Sequence, residues 1–238
     1  MLPDSRDFMR AVDEFWGEYW PIGRVSRMEV YDDSTLDAFH LFDEWGGLTK
    51  STFLDQGEPT SIRYNCYDRA DAFAQRTTHD VEADQQTSWT YQADPLERTI
   101  IATVHSARCR SGDSFNVCVL DEDGRIVELE EGICLGGEVD RWFVEWDSFN
   151  RIENIVCTGS QGEVLLSWSY EYDEHREPIR IAQSDPKSRL VWDRRYLRSY
   201  DGYGNWIEEQ ETESSYKTYG AIETSINRSK RLITYRNP

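Results

Sequence analysis

The chain has 238 residues, of which 38% are hydrophobic and 13% aromatic, and its formal net charge is −19. Nucleic acids and anionic membranes are bound by positively charged surfaces, so this charge argues against either as a direct partner. Thirteen Tyr, nine Trp and nine Phe are too many for a disordered chain, so the protein is expected to fold around an aromatic core.

Residues 4–20 differ from the rest of the chain because their apolar side chains recur at helical spacing. The residues of this apolar face are Phe8, Val12, Phe15, Trp16 and Tyr19. Asp4 or Ser5 can cap the start of a helix, and Pro21 with Gly23 can end it. We therefore predict one amphipathic helix within an N-terminal segment, residues 1–24. It either docks on the following domain or binds a partner, and its acidic polar face disfavours a membrane surface.

From residue 25 onwards, apolar and polar residues alternate, which is typical of antiparallel strands with one buried face. The longest apolar ladder consists of Val164, Leu166, Trp168, Tyr170 and Tyr172. A shorter ladder has Trp142, Val144 and Trp146 on one face, with Phe143 and Glu145 on the other. No linker rich in Pro, Gly or Ser interrupts the pattern. Residues 25–238 are therefore predicted to form one continuous β domain.

A short turn motif recurs along this domain: an aromatic residue or Leu, then Asp, two free positions and Gly. Its best copy is residues 200–204, and weaker copies are residues 42–46 and 120–124. In residues 146–150, Asn150 stands in the place of the Gly. The anchoring aspartates recur about every 13 residues or at twice that interval, and they are Asp32, Asp43, Asp55, Asp68, Asp80, Asp94, Asp121, Asp147, Asp173, Asp185 and Asp201.

The motif has the chemistry of a hairpin turn. An aspartate carboxylate at the first position accepts the backbone N–H two residues on, and Gly at the fourth position permits a positive φ. Counting the turns gives about fourteen strands, and an open sheet of more than about ten strands curls or splits. The predicted fold class is therefore all-β: a curled antiparallel β-meander of about fourteen strands, preceded by one N-terminal amphipathic helix.

The sequence shows no pattern of catalytic or metal-binding residues. Its histidines, His40, His79, His105 and His175, are scattered and lie near no nucleophile motif. The five cysteines form no closely spaced pair, which is typical of free thiols in a reducing compartment. The N-terminus has no visible signal peptide. We expect a cytoplasmic protein that is not an enzyme and binds no cofactor or metal.

Two acidic runs are candidate contact residues for a basic protein partner, because opposite charges steer association. The first run consists of Asp121, Glu122 and Asp123 at one turn, followed by Glu128, Glu130 and Glu131. The second consists of Glu209, Glu211 and Glu213, which alternate along one face of a predicted strand. The alternative for each run is a solvated outer sheet face whose charges discourage aggregation.

The turn motif resembles the YD repeats of Rhs and related shell proteins, over roughly residues 29–205. The chain departs from that family in its shorter intervals, and it lacks the family's self-cleaving core segment and a toxin domain. A small acidic relative of this architecture resembles an immunity protein of a bacterial polymorphic toxin system. That resemblance implies a cognate toxin with a basic surface as the partner, neutralised by occlusion or distortion of its active site. The alternative is a fragment or relative of a YD-repeat shell or surface protein, with a structural or carbohydrate-binding role.

Overall fold

The described part of the protein is an all-β, antiparallel structure. The computed structural model describes residues 21, 24–44, 47–68, 73–94, 96–106, 114–133, 140–216 and 222–236. Among these residues there are sixteen strands and no helix, and hence no helix that is long and apolar enough to cross a membrane. The helix predicted for residues 4–20 lies outside the described residues.

The strands follow one another around the sheet in chain order, and every neighbouring pair is antiparallel. They are β1 (Val25–Asp32), β2 (Thr35–Phe42), β3 (Leu48–Asp55), β4 (Glu58–Asp68), β5 (Phe73–Asp80), β6 (Gln85–Asp94), β7 (Thr99–Ser106), β8 (Ser114–Leu120), β9 (Ile126–Ile133), β10 (Asp140–Trp146), β11 (Ile152–Thr158), β12 (Val164–Tyr172), β13 (Pro178–Ser184), β14 (Leu190–Tyr200), β15 (Trp206–Tyr216) and β16 (Ile222–Tyr235).

The sheet closes on itself, because β16 pairs with β1 through partners such as Met28 with Ile233 and Val30 with Arg231. The predicted curled meander of about fourteen strands is therefore wrong in strand number and in leaving the sheet open. An open meander of this length has two edges with unpaired N–H and C=O groups. Pairing the first strand with the last satisfies the backbone groups of both edges at once.

The inward face of the barrel carries the core. Residues opposite each other in an antiparallel pair share a face, so the register assigns whole rows of side chains to one side. Ile100, Ile126 and Leu129 are almost fully buried on the inward face. One core cluster spans β6 to β12, and a smaller one, which includes Val25 and Phe42, spans β1, β2 and β3.

Large aromatic side chains line part of the inward face. A barrel of sixteen strands is too wide for aliphatic side chains alone to fill it. Trp89, Trp146 and Tyr170 pack against the larger cluster, and the rings of Trp142 and Trp168 stack at 5.2 Å. These rings add large apolar surfaces to the core on the inward face.

The turn chemistry predicted from the sequence is confirmed. In the turn after β14, Oδ1 of Asp201 accepts the N–H of Tyr203 at 2.9 Å and that of Asn205 at 3.0 Å, and the N–H of Gly204 donates to the Asp201 carbonyl at 3.1 Å. Turns that begin at Asp121, Asp147, Asp173 and Asp185 repeat this pattern. The fourth residue has a positive φ in each, and these residues are Gly124, Asn150, Arg176, Ser188 and Gly204.

One end of the barrel, which we call the aspartate rim, carries the turns that join each even-numbered strand to the next odd-numbered one. The aspartates that begin its described turns are Asp43, Asp94, Asp121, Asp147, Asp173 and Asp201. The last five are 27, 26, 26 and 28 residues apart. The anchors found in the sequence at intervals of about 13 residues therefore alternate between the two ends of the barrel, and the unit that repeats along one rim is a whole hairpin.

Neighbouring hairpins are bonded together along the aspartate rim. In three hairpins, the residue just before the aspartate reaches back to the previous hairpin. The Trp146 indole N–H donates to the Ile126 carbonyl at 2.8 Å, and the Tyr172 hydroxyl donates to the Ile152 carbonyl at 2.7 Å. The Tyr200 hydroxyl donates directly to the carboxylate of Asp173. The aromatic–Asp pair in the motif is therefore a bond between repeats as well as the end of a strand.

Arginine side chains donate hydrogen bonds to the aspartates of several of these turns. Nε of Arg151 donates to Oδ2 of Asp147 at 2.7 Å, and the Arg151 guanidinium lies 4.6 Å from the centre of the Tyr172 ring. Burial would raise the pKa of Asp147, but the hydrogen bonds from Arg151 and from backbone N–H groups outweigh it and hold that pKa below its usual range. The carboxylate is therefore kept ionised as a hydrogen-bond acceptor.

In one turn, the carboxylate comes from the last residue of the turn instead of the first. In residues 159–163, Gly159 stands where the other turns have Asp, and Oε2 of Glu163 accepts the N–H of Gln161 at 3.1 Å. A Cβ atom on Gly159 would lie 2.4 Å from Oε1 of Glu163. The Glu163 carboxylate thus occupies the space that the aspartate side chain would need, which is why the motif is not visible here in the sequence.

We predict that Gly204→Val destabilises the protein by more than about 1 kcal/mol, because a β-branched residue resists a positive φ. The φ of Gly204 is 87°. The matched control is Gly202→Ala in the same turn, since a Cβ atom at Gly202 has no neighbour within 4 Å. Urea unfolding should show a lower midpoint for the first variant only. Equal stability of Gly204→Val and wild type would contradict the turn assignment.

Candidate partner-binding surface

The outward face of β7 to β11, which we call the acidic wall, carries two adjacent rows of side chains. In the first, the register aligns Ile101, Val117, Glu130 and Arg141. The second row consists of Val119, Glu128, Phe143 and Val156. These rows face outward because the residues that alternate with them, such as Cys118, Leu129 and Val144, are buried in the core.

Apolar side chains are exposed on and beside this wall. Ile101 is 46% exposed and Phe143 is 39% exposed, and Phe149 in the neighbouring turn is 65% exposed. Partly exposed apolar residues within a polar border are typical of protein interaction sites, and aromatic residues are enriched there. The alternation in the sequence had already placed Phe143 opposite Trp142, but it did not show which of the two faces solvent.

Carboxylates surround these apolar residues. Glu130 pairs with Arg141 at 2.7 Å, Glu145 accepts a hydrogen bond from Asn154 at 3.0 Å, and Glu122 lies 3.9 Å from Arg98. The carboxylates of the wall and its nearest turn are Glu122, Asp123, Glu128, Glu130, Glu145 and Glu153. An apolar centre with an acidic border fits a basic partner, because the charges steer the encounter and the apolar contacts hold it.

The structure divides the first acidic run predicted from the sequence. Glu122, Asp123, Glu128 and Glu130 lie on the acidic wall or its adjoining turn. Asp121 instead belongs to the turn itself, since Nη2 of Arg125 lies 2.6 Å from its Oδ2 and backbone N–H groups bond its Oδ1. The backbone of Glu131 pairs with Asn116 and Asp140 in the sheet.

The second acidic run lies on the inward face, away from the acidic wall. The register places Glu209, Glu211 and Glu213 opposite Arg198, Tyr196 and Arg194 on the face that carries Trp192. These three carboxylates alternate along β15 as the sequence indicated, but they cannot contact a partner that covers the outer surface. Arg194 and Arg198 alternate in β14 to match Glu213 and Glu209, a signal of pairing between the two strands that does not show which way their shared face points.

Arginines on β14 pair with these inward carboxylates. Nε of Arg198 donates to Glu209 at 2.6 Å, and Arg194 bonds Glu213 at 2.6 Å and lies 3.3 Å from Glu211. Burial raises the pKa of Glu211 above its usual range, while the Arg194 hydrogen bond lowers that of Glu213. These pairs make charged residues part of the interior of the barrel.

The inward side chains are more exposed toward the end opposite the aspartate rim. Along β15, the exposed fraction of the side chain rises from 11% at Glu209 to 17% at Glu211 and 29% at Glu213. Along β15, the interior is therefore driest near the aspartate rim. Among the described residues, no group of three or more His, Cys, Asp or Glu side chains could hold a metal ion.

No protein-family model matches the chain, and no curated protein sequence is significantly similar to it. A porin-like protein from Bacteroides uniformis is similar in structure, with 11% identity, 90% of this chain and 98% of that chain covered, and a TM-score of 0.42. The Tc holotoxin pore of Photorhabdus luminescens matches at 12% identity and a TM-score of 0.22, and TcdB2–TccC3 at 11% and 0.22. This chain covers 16% and 13% of the latter two and is itself covered to 84% and 77%. At these TM-scores, the similarities support no inference about function.

We predict that Glu209→Ala destabilises the protein by about 3 kcal/mol or more, because it leaves the buried Arg198 guanidinium without its carboxylate. The side chains of Arg198 and Glu209 are 7% and 11% exposed. Glu208→Ala is the matched control, since the neighbouring Glu208 faces outward with a side chain that is 63% exposed. Thermal and urea unfolding of both variants measure the difference. A Glu209→Ala variant as stable as the control would place this strand the other way round.

Proposed function

We propose that the chain is a cytoplasmic protein-binding module, and that it acts as an immunity protein that neutralises a cognate bacterial toxin. The observation that supports this proposal is the acidic wall, where half-exposed Ile101 and Phe143 lie among carboxylates on a regular sheet surface. A rigid sheet offers such a surface to a partner with little loss of conformational entropy. Binding would cover or distort the active site of the toxin, so the chain needs no catalytic residues of its own.

The charge of the wall indicates the kind of toxin surface that would fit. Clefts that bind nucleotides or nucleic acids are lined by Lys and Arg, and a strongly acidic protein is steered toward them. The net charge of −19 provides this long-range attraction. Short-range affinity would come from aromatic anchors such as Phe143, because aromatic residues dominate interface energies.

We predict that Phe143→Ala weakens partner binding by roughly thirtyfold or more, since a central aromatic anchor contributes about 2 kcal/mol or more to an interface. The double variant Glu128→Lys/Glu145→Lys should mainly slow association and reduce its salt dependence. Both changes lie on an outward face, so the variants should fold normally. Binding would be measured with a partner retained by the wild-type protein from a lysate of the source cells and then purified.

Glu208→Lys is the control variant, because it makes the same kind of charge change on the outward face of β15. It should bind the partner nearly as well as wild type. The purified partner should be toxic when expressed alone and harmless when expressed together with this chain. A partner that binds all variants equally, or whose association rate is unaffected by salt, would contradict the proposal.

A further inference from the structure

A cavity of about 400 Å³ lies on the inward face of β4, β5 and β6, near the turn that joins β5 to β6. Its inward-facing residues are Ser61, Thr78, Asp80, Gln85, Thr87 and Trp89. The register aligns Ser61, Asp80 and Gln85 in one row and Thr78 with Thr87 in the next. Small-molecule sites in proteins typically occupy about 300–1,000 Å³, so this cavity has the size of a binding site.

Apart from its two carboxylates, which accept hydrogen bonds, the polar side chains of this cavity can both donate and accept them. Each hydroxyl of Ser61, Thr78 and Thr87 has one donor and two acceptor positions, and the Gln85 amide has both functions. Asp80 is oriented by its turn, because its Oδ1 accepts the N–H of Ala83 at 3.0 Å. Hydroxyl groups on a ligand match such a set, since they also donate and accept.

Trp89 gives the cavity a flat apolar boundary. Its side chain is partly buried and packs against the larger core cluster, while it also lines the cavity. A fixed indole can stack against a flat or weakly polar ring face. One aromatic surface combined with polar groups on the adjoining strands can hold a small ring-shaped ligand, with a ring face against the indole and hydroxyl groups against the polar side chains.

The charges around the cavity disfavour a charged ligand. Asp80 and Glu82 line it and would repel an anion. On the same inward face, Arg63 lies in the row of Thr78 and Thr87, and Arg76 lies in the next row with Trp89, and these two guanidinium groups would oppose a cation. An uncharged ligand meets neither repulsion.

We propose that this cavity binds an uncharged, hydroxyl-bearing molecule, with one of its rings stacked on Trp89 and its hydroxyl groups hydrogen-bonded by the side chains of β4, β5 and β6. Two classes of molecule have this chemistry: a pyranoside, which stacks its sugar ring, and a nucleoside without phosphate, which stacks its base. The cavity faces inward on β4, β5 and β6, whereas the acidic wall faces outward on β7 to β11. The two sites therefore lie on opposite faces and on different strands of the same barrel.

The test titrates the full-length, 15N-labelled protein with methyl β-glucoside and, separately, with adenosine, while the indole N–H signal of Trp89 is followed by NMR. The signal is identified by its loss in Trp89→Phe. A saturable shift with one probe identifies the class of ligand. Thr87→Val, which keeps the β-branched shape and removes the hydroxyl, should weaken that binding by about 3- to 10-fold. Thr78→Val serves the same purpose if the first variant does not fold.

Thr77→Val is the control, since Thr77 alternates with the inward residues of β5 and faces outward. It should leave the affinity unchanged. Choline and glucose 6-phosphate serve as charged probes and should bind more weakly than the neutral ones. The proposal is overturned if neither neutral probe shifts the Trp89 signal at millimolar concentration, if a charged probe binds more tightly, or if both threonine variants retain full affinity.

Discussion

The structure depends on one recurring interaction at the aspartate rim. An aspartate carboxylate accepts backbone N–H groups of its own turn, and an aromatic residue of the next hairpin donates a hydrogen bond to that aspartate or to a residue beside its turn. Oδ1 of Asp173 accepts backbone N–H groups of its turn, and its Oδ2 accepts the Tyr200 hydroxyl. Asp201 receives the Tyr235 hydroxyl from β16 in the same way. The four turns of the aspartate rim from Asp121 to Asp201 are thus tied to the following hairpin or strand, and the last of these bonds reaches β16, which closes the barrel.

Acidic residues have different roles on the two faces of the closed sheet. Glu208 and Glu209 are adjacent in sequence, yet one faces solvent and the other is buried against Arg198. Because side chains alternate along a strand, a shift of one residue in register would exchange these roles. Inward carboxylates paired with arginines help to fill a wide barrel, whereas outward carboxylates set the charge that a partner encounters. The acidic wall and the inward cavity are therefore separate surfaces of one sheet.

Much of the local structure could be predicted from the sequence, because turn chemistry is local. The Asp and Gly positions, and Asn150 in the place of Gly, indicated the hairpins, and alternation separated Phe143 from Trp142. The closure of the barrel could not be predicted, since the pairing of Val30 with Arg231 joins distant parts of the chain without a local signal. Alternation likewise placed Glu209, Glu211 and Glu213 on one face without showing that this face points inward.

Amide hydrogen exchange in β1 tests the closed barrel most directly. Alternate N–H groups of an antiparallel strand point to its two neighbours, so those of β1 are divided between β2 and β16. A closed barrel predicts that both sets exchange slowly, at rates similar to those in β11 and β12. If the amides directed toward β16 exchange rapidly while those directed toward β2 are protected, β1 is a free edge and the closed architecture is wrong.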